Sequence, residues 1–134
     1  MLIIGGISMS VKMLHTCIRV KDLEASLKFY RDALGLVETR RKEFPDHKFD
    51  LVYLSNEIGG YEIELTYNHG VETPYEIGNG FSHTAIGVEN LEEMREKHIA
   101  LGYEVTDLKG LPGSKPHYYF VTDPDGYKVE VIRS

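Results

Sequence analysis

Two histidines and two glutamates occupy matching positions in the two halves of this chain. His15 and Glu64 lie in the first half, and His83 and Glu130 lie 68 and 66 residues further on. Neutral imidazoles and carboxylates suit a borderline divalent metal such as Ni, Co, Zn, Mn or Fe, and four protein ligands leave positions open for water or substrate. The set contains no thiolate, which argues against a closed structural zinc site. The four residues therefore predict a metal site of the catalytic type.

The matching positions belong to an internal repeat. Residues 15–20 (HTCIRV) are echoed by residues 83–88 (HTAIGV), and residues 61–64 (YEIE) by residues 127–130 (YKVE). Repeats of this length normally come from a duplicated supersecondary unit. A single histidine at a strand start, or a single glutamate on a strand, is more often an ordinary polar residue facing solvent. Because both residue types recur while the positions between them differ, the pattern favours metal ligation.

The first half reads as one strand, one helix and three further strands. Residues 14–20 alternate between apolar and polar side chains, which predicts a half-buried strand. Asp22 can cap an amphipathic helix that ends near Gly35. The later strands are predicted at Val37 to Phe44, Phe49 to Leu54 and Tyr61 to Thr66.

The second half repeats that order. Asn90, with Glu93 three residues on, can begin a helix that ends at Gly102. A turn at residues 123–126 (DPDG) joins the last two strands, since proline and glycine stand at the positions that a three-residue hairpin turn favours. The four strands of this half are predicted at His83 to Val88, Tyr103 to Thr106, His117 to Thr122 and Tyr127 to Ile132.

The predicted fold is α+β and consists of two tandem βαβββ modules, residues 13–67 and 81–134, joined by a linker at residues 68–80 that is rich in Gly, Asn, Pro and Tyr. Two such modules can pair so that their curved mixed sheets face a shared metal cleft, where the four residues would converge. Residues 1–12 lack the features of a signal peptide. We expect a disordered or mis-started leader there, because Met9 and Met13 could also initiate translation.

Other residues on the predicted cleft face have two interpretations. Arg19 follows His15 on the same face of its strand, where a guanidinium would bind a substrate carboxylate; the alternative is an exposed arginine at a strand end. Asn68 and Lys115 are candidates from loops for the same role. Cys17 is predicted to be a small buried hydrophobe and Glu62 to be solvated. Surface or supporting roles are predicted for His47, His69, His98 and His117.

Composition excludes several classes of protein. The net charge of −6 and a pI near 5.5 give no basic surface for nucleic acid. No apolar run approaches the roughly 20 residues that a membrane helix requires. The single cysteine excludes an internal disulfide and fits a reducing compartment, which predicts a cytoplasmic protein.

The repeat blocks resemble the glyoxalase I family (lactoylglutathione lyases) of the vicinal oxygen chelate superfamily. The similar blocks cover about residues 13–132 and include residues 13–20, 64–68 (ELTYN), 80–83 (GFSH) and 123–130. The resemblance implies that His15, Glu64, His83 and Glu130 bind one divalent metal. It also implies a homodimer in which His15 and Glu64 of one chain meet His83 and Glu130 of the other.

The resemblance further implies the reaction. Members of the family isomerise the hemithioacetal of methylglyoxal and glutathione, a 2-oxoaldehyde–thiol adduct, to S-lactoylglutathione, which detoxifies methylglyoxal. Glu130 would be the base and Glu64 its partner on the opposite face. Arg19 and Asn68 match positions that hold the thiol co-substrate. The short chain and the histidine at the first ligand position resemble the bacterial type that prefers nickel or cobalt, although zinc suits the same donors.

Two alternatives stay open at this point. Another superfamily activity, an extradiol dioxygenase or an acyl-CoA epimerase, would use a similar site. An iron oxygenase needs only two histidines and one carboxylate, so the complete set of four residues counts against the dioxygenase. A non-enzymatic dimer that binds a small molecule would need no metal. Asn79 stands where some members have an arginine, and residues 111–117 differ from the family pattern, so another thiol is an alternative to glutathione.

Overall fold

The computed structural model describes the backbone of residues 2–4 and 7–134 and the side chains from Ser10 onward. In the predicted leader, β1 (Leu2–Ile4) pairs antiparallel with β2 (Ile7–Met9). The prediction of a disordered leader also includes residues 1, 5 and 6, which lie outside the described residues. The division of the chain into leader, modules and linker stays a prediction.

The first module forms a four-stranded sheet in the order β3-β6-β5-β4. Strand β3 (His15–Val20) runs parallel to β6 (Glu62–Asn68), and the other pairs are antiparallel. The remaining strands are β4 (Val37–Phe44) and β5 (Phe49–Ser55), with a short 3₁₀ turn at Pro45–His47 between them. The predicted strands of this half are confirmed to within two residues at each end.

The second module forms a three-stranded sheet in the order β7-β9-β8 with the same sense of pairing. Strand β7 (His83–Val88) runs parallel to β9 (Lys128–Arg133), and β8 (Tyr118–Thr122) is antiparallel to β9. The predicted strand Tyr103 to Thr106 is wrong: this segment makes only an isolated bridge between Val105 and Val121. Two backbone hydrogen bonds still hold this segment beside β8: Thr106 N donates to Phe120 O, and Thr122 N donates to Glu104 O.

Each module contributes one ten-residue helix, as the capping residues predict. Helix α1 (Leu23–Asp32) begins at Asp22, whose carboxylate accepts a hydrogen bond from Ala25 N at 3.1 Å. Helix α2 (Leu91–Ala100) begins at Asn90, whose side-chain oxygen accepts from Glu93 N at 3.1 Å. No helix in the part of the chain that the structure describes is long and apolar enough to cross a membrane.

One hydrophobic core joins the two modules. Phe29 and Tyr30 of α1 are buried in the same cluster as Tyr119, Val129 and Val131 of the second sheet. The alternation of β9 places Val129 and Val131 inward and leaves Glu130 on the other face, as its sequence predicts. The inward faces of the sheets hold the two modules together. The outward faces carry the predicted metal ligands.

The turn at residues 123–126 ties the second module to helix α1. The carboxylate of Asp123 accepts hydrogen bonds from Tyr127 N at 2.8 Å and, through its second oxygen, from Tyr30 Oη at 2.7 Å. Asp125 accepts from Lys21 N at 2.9 Å and from Ser26 Oγ at 3.3 Å. Burial raises the pKa of Asp123, and the hydrogen bonds from Tyr30 and the backbone oppose that effect.

A buried histidine makes a second link between the modules. His98 of α2 is 0% exposed, and its Nε2 lies 2.7 Å from the carbonyl oxygen of Ala33 at the end of α1. Because a carbonyl can only accept, Nε2 carries the proton and Nδ1 accepts from Tyr119 Oη at 2.8 Å. Burial lowers the pKa of His98. The predicted surface or supporting role is therefore wrong for this histidine, which belongs to the core.

Candidate metal site

The first histidine and the first glutamate meet on the outward face of the first sheet. Strands β3 and β6 are parallel with His15 opposite Glu62, so His15 and Glu64 share a face two positions apart. His15 Nε2 lies 3.7 Å from Glu64 Oε2. Glu64 is only 8% exposed, whereas His15 is exposed. Residues 49 positions apart in the chain are thus brought within reach of one ion; we call them the first half-site.

The second half-site repeats this geometry. Strand β7 pairs with β9 so that His83 lies opposite Lys128, two positions from Glu130. His83 Nε2 lies 3.2 Å from Glu130 Oε1. In each half-site the histidine ring also makes an edge contact with an aromatic ring two strands away, His15 with Tyr53 at 5.7 Å and His83 with Phe120 at 5.3 Å between centroids. The matching geometry agrees with the duplication that the sequence indicates.

One chain does not bring the two half-sites together. Across the described residues, no three His, Cys, Asp or Glu side chains converge in a way that could hold a metal ion. The four residues therefore do not converge within one chain, which leaves the arrangement shared between two chains as the prediction to test. The role of these residues as metal ligands stays a prediction. It requires that another chain supply the missing half-site.

The surroundings of Glu64 are polar. Tyr53 lies directly opposite Glu64 across β5 and β6. Burial, together with hydrogen bonding to Glu64, raises the pKa of Tyr53 to about 12. Burial alone would raise the pKa of Glu64, but hydrogen bonds from Tyr53 and Cys17 and the nearby His15 outweigh it, so this pKa is lowered. Glu64 is held as a carboxylate.

Two predictions about this face are wrong. Cys17 is exposed on β3 rather than buried, and its Sγ lies 3.1 Å from Thr66 Oγ1. Glu62 is not simply solvated, since its side chain is only 14% exposed. It accepts hydrogen bonds from Thr39 Oγ1 and from the guanidinium of Arg40, and these bonds lower its pKa. Both residues therefore belong to the ordered surroundings of the first half-site.

Two of the three predicted substrate-binding residues lie near one cavity, and the third does not. Arg19 is exposed at the end of β3 and lines a cavity of about 370 Å³ together with Tyr75, Ile77 and Tyr127. Asn68 ends β6 on the same sheet face and donates to Tyr75 Oη at 3.0 Å, so it lies close to this cavity. Lys115 is exposed in the loop between α2 and β8 and does not line the cavity.

Comparison with known proteins identifies the family. A sequence profile described as the Glyoxalase/Bleomycin resistance protein/Dioxygenase superfamily matches residues 12–131. The chain belongs to this superfamily. The resemblance drawn from the repeat blocks is confirmed.

Several relatives of this superfamily member are similar along nearly their whole length. The lactoylglutathione lyase of Haemophilus influenzae is 44% identical over 127 residues, 92% of this chain and 93% of that protein. The lactoylglutathione lyase of Salmonella typhimurium is 40% identical over the same shares. A probable lactoylglutathione lyase of Synechocystis is 41% identical over 91% of this chain and 95% of that protein.

Solved structures of the superfamily share the fold. Glyoxalase I from Zea mays superposes with a TM-score of 0.86 at 33% identity, covering 92% of this chain and 44% of that one. The trypanothione-dependent glyoxalase I of Leishmania major superposes with a TM-score of 0.82 at 36% identity, covering 92% and 87%. The predicted α+β fold of paired modules is confirmed.

Sequence reasoning missed two residues beside the first half-site. The sequence pattern assigns Tyr53 and Arg40 only to strands, yet the guanidinium carbon of Arg40 lies 3.6 Å from the centroid of the Tyr53 ring. A signal for Tyr53 existed in the repeat: Tyr53 opposes Glu64 as Phe120 opposes Glu130, so the internal alignment pairs the two aromatic residues. Arg40 has no such signal, because a bulge between Glu38 and Arg40 alters the register of β4.

Proposed function

We propose that this chain isomerises the hemithioacetal of methylglyoxal and glutathione to S-lactoylglutathione and so detoxifies methylglyoxal. The observation that carries the proposal is the pair of matched His–Glu half-sites on the outward faces of the two sheets. Relatives that are 40–44% identical and named lactoylglutathione lyase support the same activity. The enzyme would thus be a carbon–sulfur lyase.

The donor set fits a divalent metal. Each half-site offers one imidazole nitrogen and one carboxylate oxygen at 3.7 or 3.2 Å from each other, which is the donor chemistry of borderline ions. His15, Glu64, His83 and Glu130 would hold the ion, with nickel or cobalt favoured and zinc possible. A bound divalent ion would stabilise the negative charge that develops on the substrate oxygens when a carbon-bound proton leaves.

We assign Glu130 as the base that moves this proton. The proton lies next to a carbonyl and must leave one carbon and return to its neighbour, which a single nearby carboxylate can do. Glu130 is flanked by Ala85 and Phe120, neither of which can hydrogen-bond to its carboxylate through a side chain. Glu64 is flanked by Cys17 and Tyr53, whose polar side chains lower its pKa. The carboxylate without such neighbours suits proton transfer, and Glu64 suits the partner role on the opposite face.

The thiol co-substrate would bind beside the first half-site. The Arg19 guanidinium is exposed at the cavity and can form paired hydrogen bonds with a carboxylate such as those of glutathione. Asn68 lies on the same face and can add an amide contact. Lys115 belongs to an exposed loop, from which it would act only if that loop approaches the cavity of a neighbouring chain.

A homodimer would complete the site. The two half-sites of one chain lie apart, and their histidines are exposed. The residues that lead into the first half-site also expose apolar side chains: Val11 is 87%, Met13 74%, Leu14 60% and Ile58 91% exposed. Exposed apolar side chains near an incomplete polar site are typical of a protein interface. We propose that His15 and Glu64 of one chain face His83 and Glu130 of its partner, in a cytoplasmic enzyme.

Metal replacement tests this function. The protein is stripped of metal and reconstituted separately with Ni, Co, Zn and Mn, and thioester formation from methylglyoxal is followed with glutathione and with other thiols. We expect no activity without metal and turnover with nickel or cobalt. Turnover that is unaffected by metal removal, or oxygen uptake in place of thioester formation, would contradict the proposal.

The Glu130→Gln substitution tests the assignment of the base. We expect turnover to fall about 10²- to 10⁴-fold, the usual contribution of a positioned base, because the amide cannot accept the proton. Glu96→Gln on the exposed surface of α2 makes the same chemical change away from the half-sites and should retain full activity. If Glu130→Gln keeps its activity within a few-fold, the base is another residue.

A further inference from the structure

The two half-sites differ in the side chains that flank their glutamates. Glu64 has Cys17 opposite it on β3 and Tyr53 opposite it on β5. At the corresponding places Glu130 has Ala85 on β7 and Phe120 on β8. The aromatic ring is kept in both modules, so the main difference between them at this position is one phenolic hydroxyl. A duplicated site with unequal neighbours suggests unequal tasks.

Tyr53 lies next to both residues of the first half-site. Its ring makes an edge contact with the His15 ring at 5.7 Å, and Tyr53 lies directly opposite Glu64 on the neighbouring strand. The side chain is fixed, since Tyr53 is only 4% exposed. A phenol packed beside a carboxylate on the neighbouring strand restricts the orientation of that carboxylate. Tyr53 is therefore placed to set where the oxygens of Glu64 point.

Arg40 in turn fixes the ring of Tyr53. Its guanidinium carbon lies 3.6 Å from the ring centroid, a cation–π contact. The guanidinium is anchored from the other side by Glu62, whose Oε1 accepts from Arg40 Nη2 at 3.1 Å and from Nε at 3.3 Å. Glu62, Arg40 and Tyr53 thus form a connected series that ends at Glu64. The second module has Lys128 at the place of Glu62, so it cannot form the same series.

We propose that Tyr53 is a positioning residue that fixes Glu64 as a metal ligand, with Arg40 holding its ring, and that the second half-site lacks this support. The inference rests on the proposed function, because it requires that the half-sites bind a metal. It explains why only one of two duplicated glutamates is free to move a proton. Outer partners that orient metal ligands commonly contribute 10- to 100-fold to metal affinity.

The test measures metal affinity directly and does not depend on turnover. Nickel and zinc binding are determined by competition with a chelator for the wild type, Tyr53→Phe and the control Tyr103→Phe. Tyr103 loses the same hydroxyl but packs against Phe29 in the core, away from both half-sites. We expect Tyr53→Phe to bind the ion about 10- to 100-fold more weakly and Tyr103→Phe to match the wild type. Melting of the metal-free proteins shows that each variant is folded.

Two more variants sharpen the result. Arg40→Met removes the cation from the ring face and keeps the hydroxyl, so it should weaken metal binding in the same direction by a smaller factor. Phe120→Tyr adds the hydroxyl to the second half-site and should slow proton transfer, seen as a lower kcat, without weakening metal binding. Metal affinity of Tyr53→Phe within twofold of the wild type would overturn the inference. If the wild type itself binds no metal, the proposed function fails instead.

Discussion

If each site is shared between two chains, two inactive variants should restore activity when they are combined. Glu64→Gln disables the first half-site and Glu130→Gln the second, and each variant alone should be inactive. In a mixed dimer one site receives both defects, and the other receives the intact first half-site of one chain and the intact second half-site of its partner. One functional site per mixed dimer is then regained.

The size of the effect follows from symmetry. Random pairing of the two variants in equal amounts gives about half mixed dimers, each with one of two sites intact, and hence about a quarter of wild-type activity per chain pair. The two proteins are unfolded together, refolded and assayed for thioester formation, with each variant refolded alone as the background. A mixture that shows no more activity than the separate variants would refute the shared site.

A chain that carries both substitutions provides the matched control. Mixed with the wild type in equal amounts, it should leave only the wild-type dimers active, about a quarter of all dimers, because every mixed dimer has one damaged half in each site. If each chain instead contained a complete site, the same mixture would keep about half of the activity. The two arrangements therefore differ about twofold in this control, a difference that an initial-rate assay resolves.

Two predictions concern the links between the modules. Tyr30→Phe removes a donor from the buried Asp123 carboxylate, so we expect the free energy of unfolding to fall by about 1.5 to 3 kcal/mol in urea denaturation; an unchanged midpoint would show that the bond contributes nothing. Burial lowers the pKa of His98 below its ordinary 6.5, so as the pH falls below about 6.5 the unfolded chain takes up the proton first and stability declines. The control is His98→Gln, which keeps a donor for Ala33 and an acceptor for Tyr119 but does not titrate. Between pH 7.5 and 5 the melting temperature of the wild type should fall more than that of this variant. A constant difference between the two across that range would contradict this assignment.

The repeat explains why so much of the fold could be predicted from the sequence. Helix starts at Asp22 and Asn90 depend on local capping chemistry, which a sequence displays directly. Strands such as β7 and β9 alternate clearly, and the recurrence of one pattern in both halves supports each assignment. The predicted strand at Tyr103 to Thr106 failed because its pairing with β8 is reduced to one bridge at Val105, which no local pattern reveals.

The surroundings of the site were harder to predict, because they depend on contacts between distant strands. Glu62 resembles a solvated strand residue until β4 brings Thr39 and Arg40 next to it. His98 lies on a helix with a weak apolar face, and its two hydrogen-bond partners come from elsewhere in the fold, Ala33 at the end of α1 and Tyr119 of β8. Sequence patterns report which face a residue occupies. They do not report what the opposite element contributes.

The hydrogen bond from Tyr127 Oη to the carbonyl oxygen of Arg19, 2.9 Å long, has a bearing on cooperativity. In the proposed dimer, Arg19 of a chain would serve one catalytic centre, and Glu130, three residues after Tyr127, would serve the other. One hydrogen bond inside each subunit then connects the thiol pocket of one catalytic centre to the base of the other catalytic centre. Thiol saturation curves that yield a Hill coefficient different from one, and a coefficient of one in Tyr127→Phe, would show the two centres communicating through it.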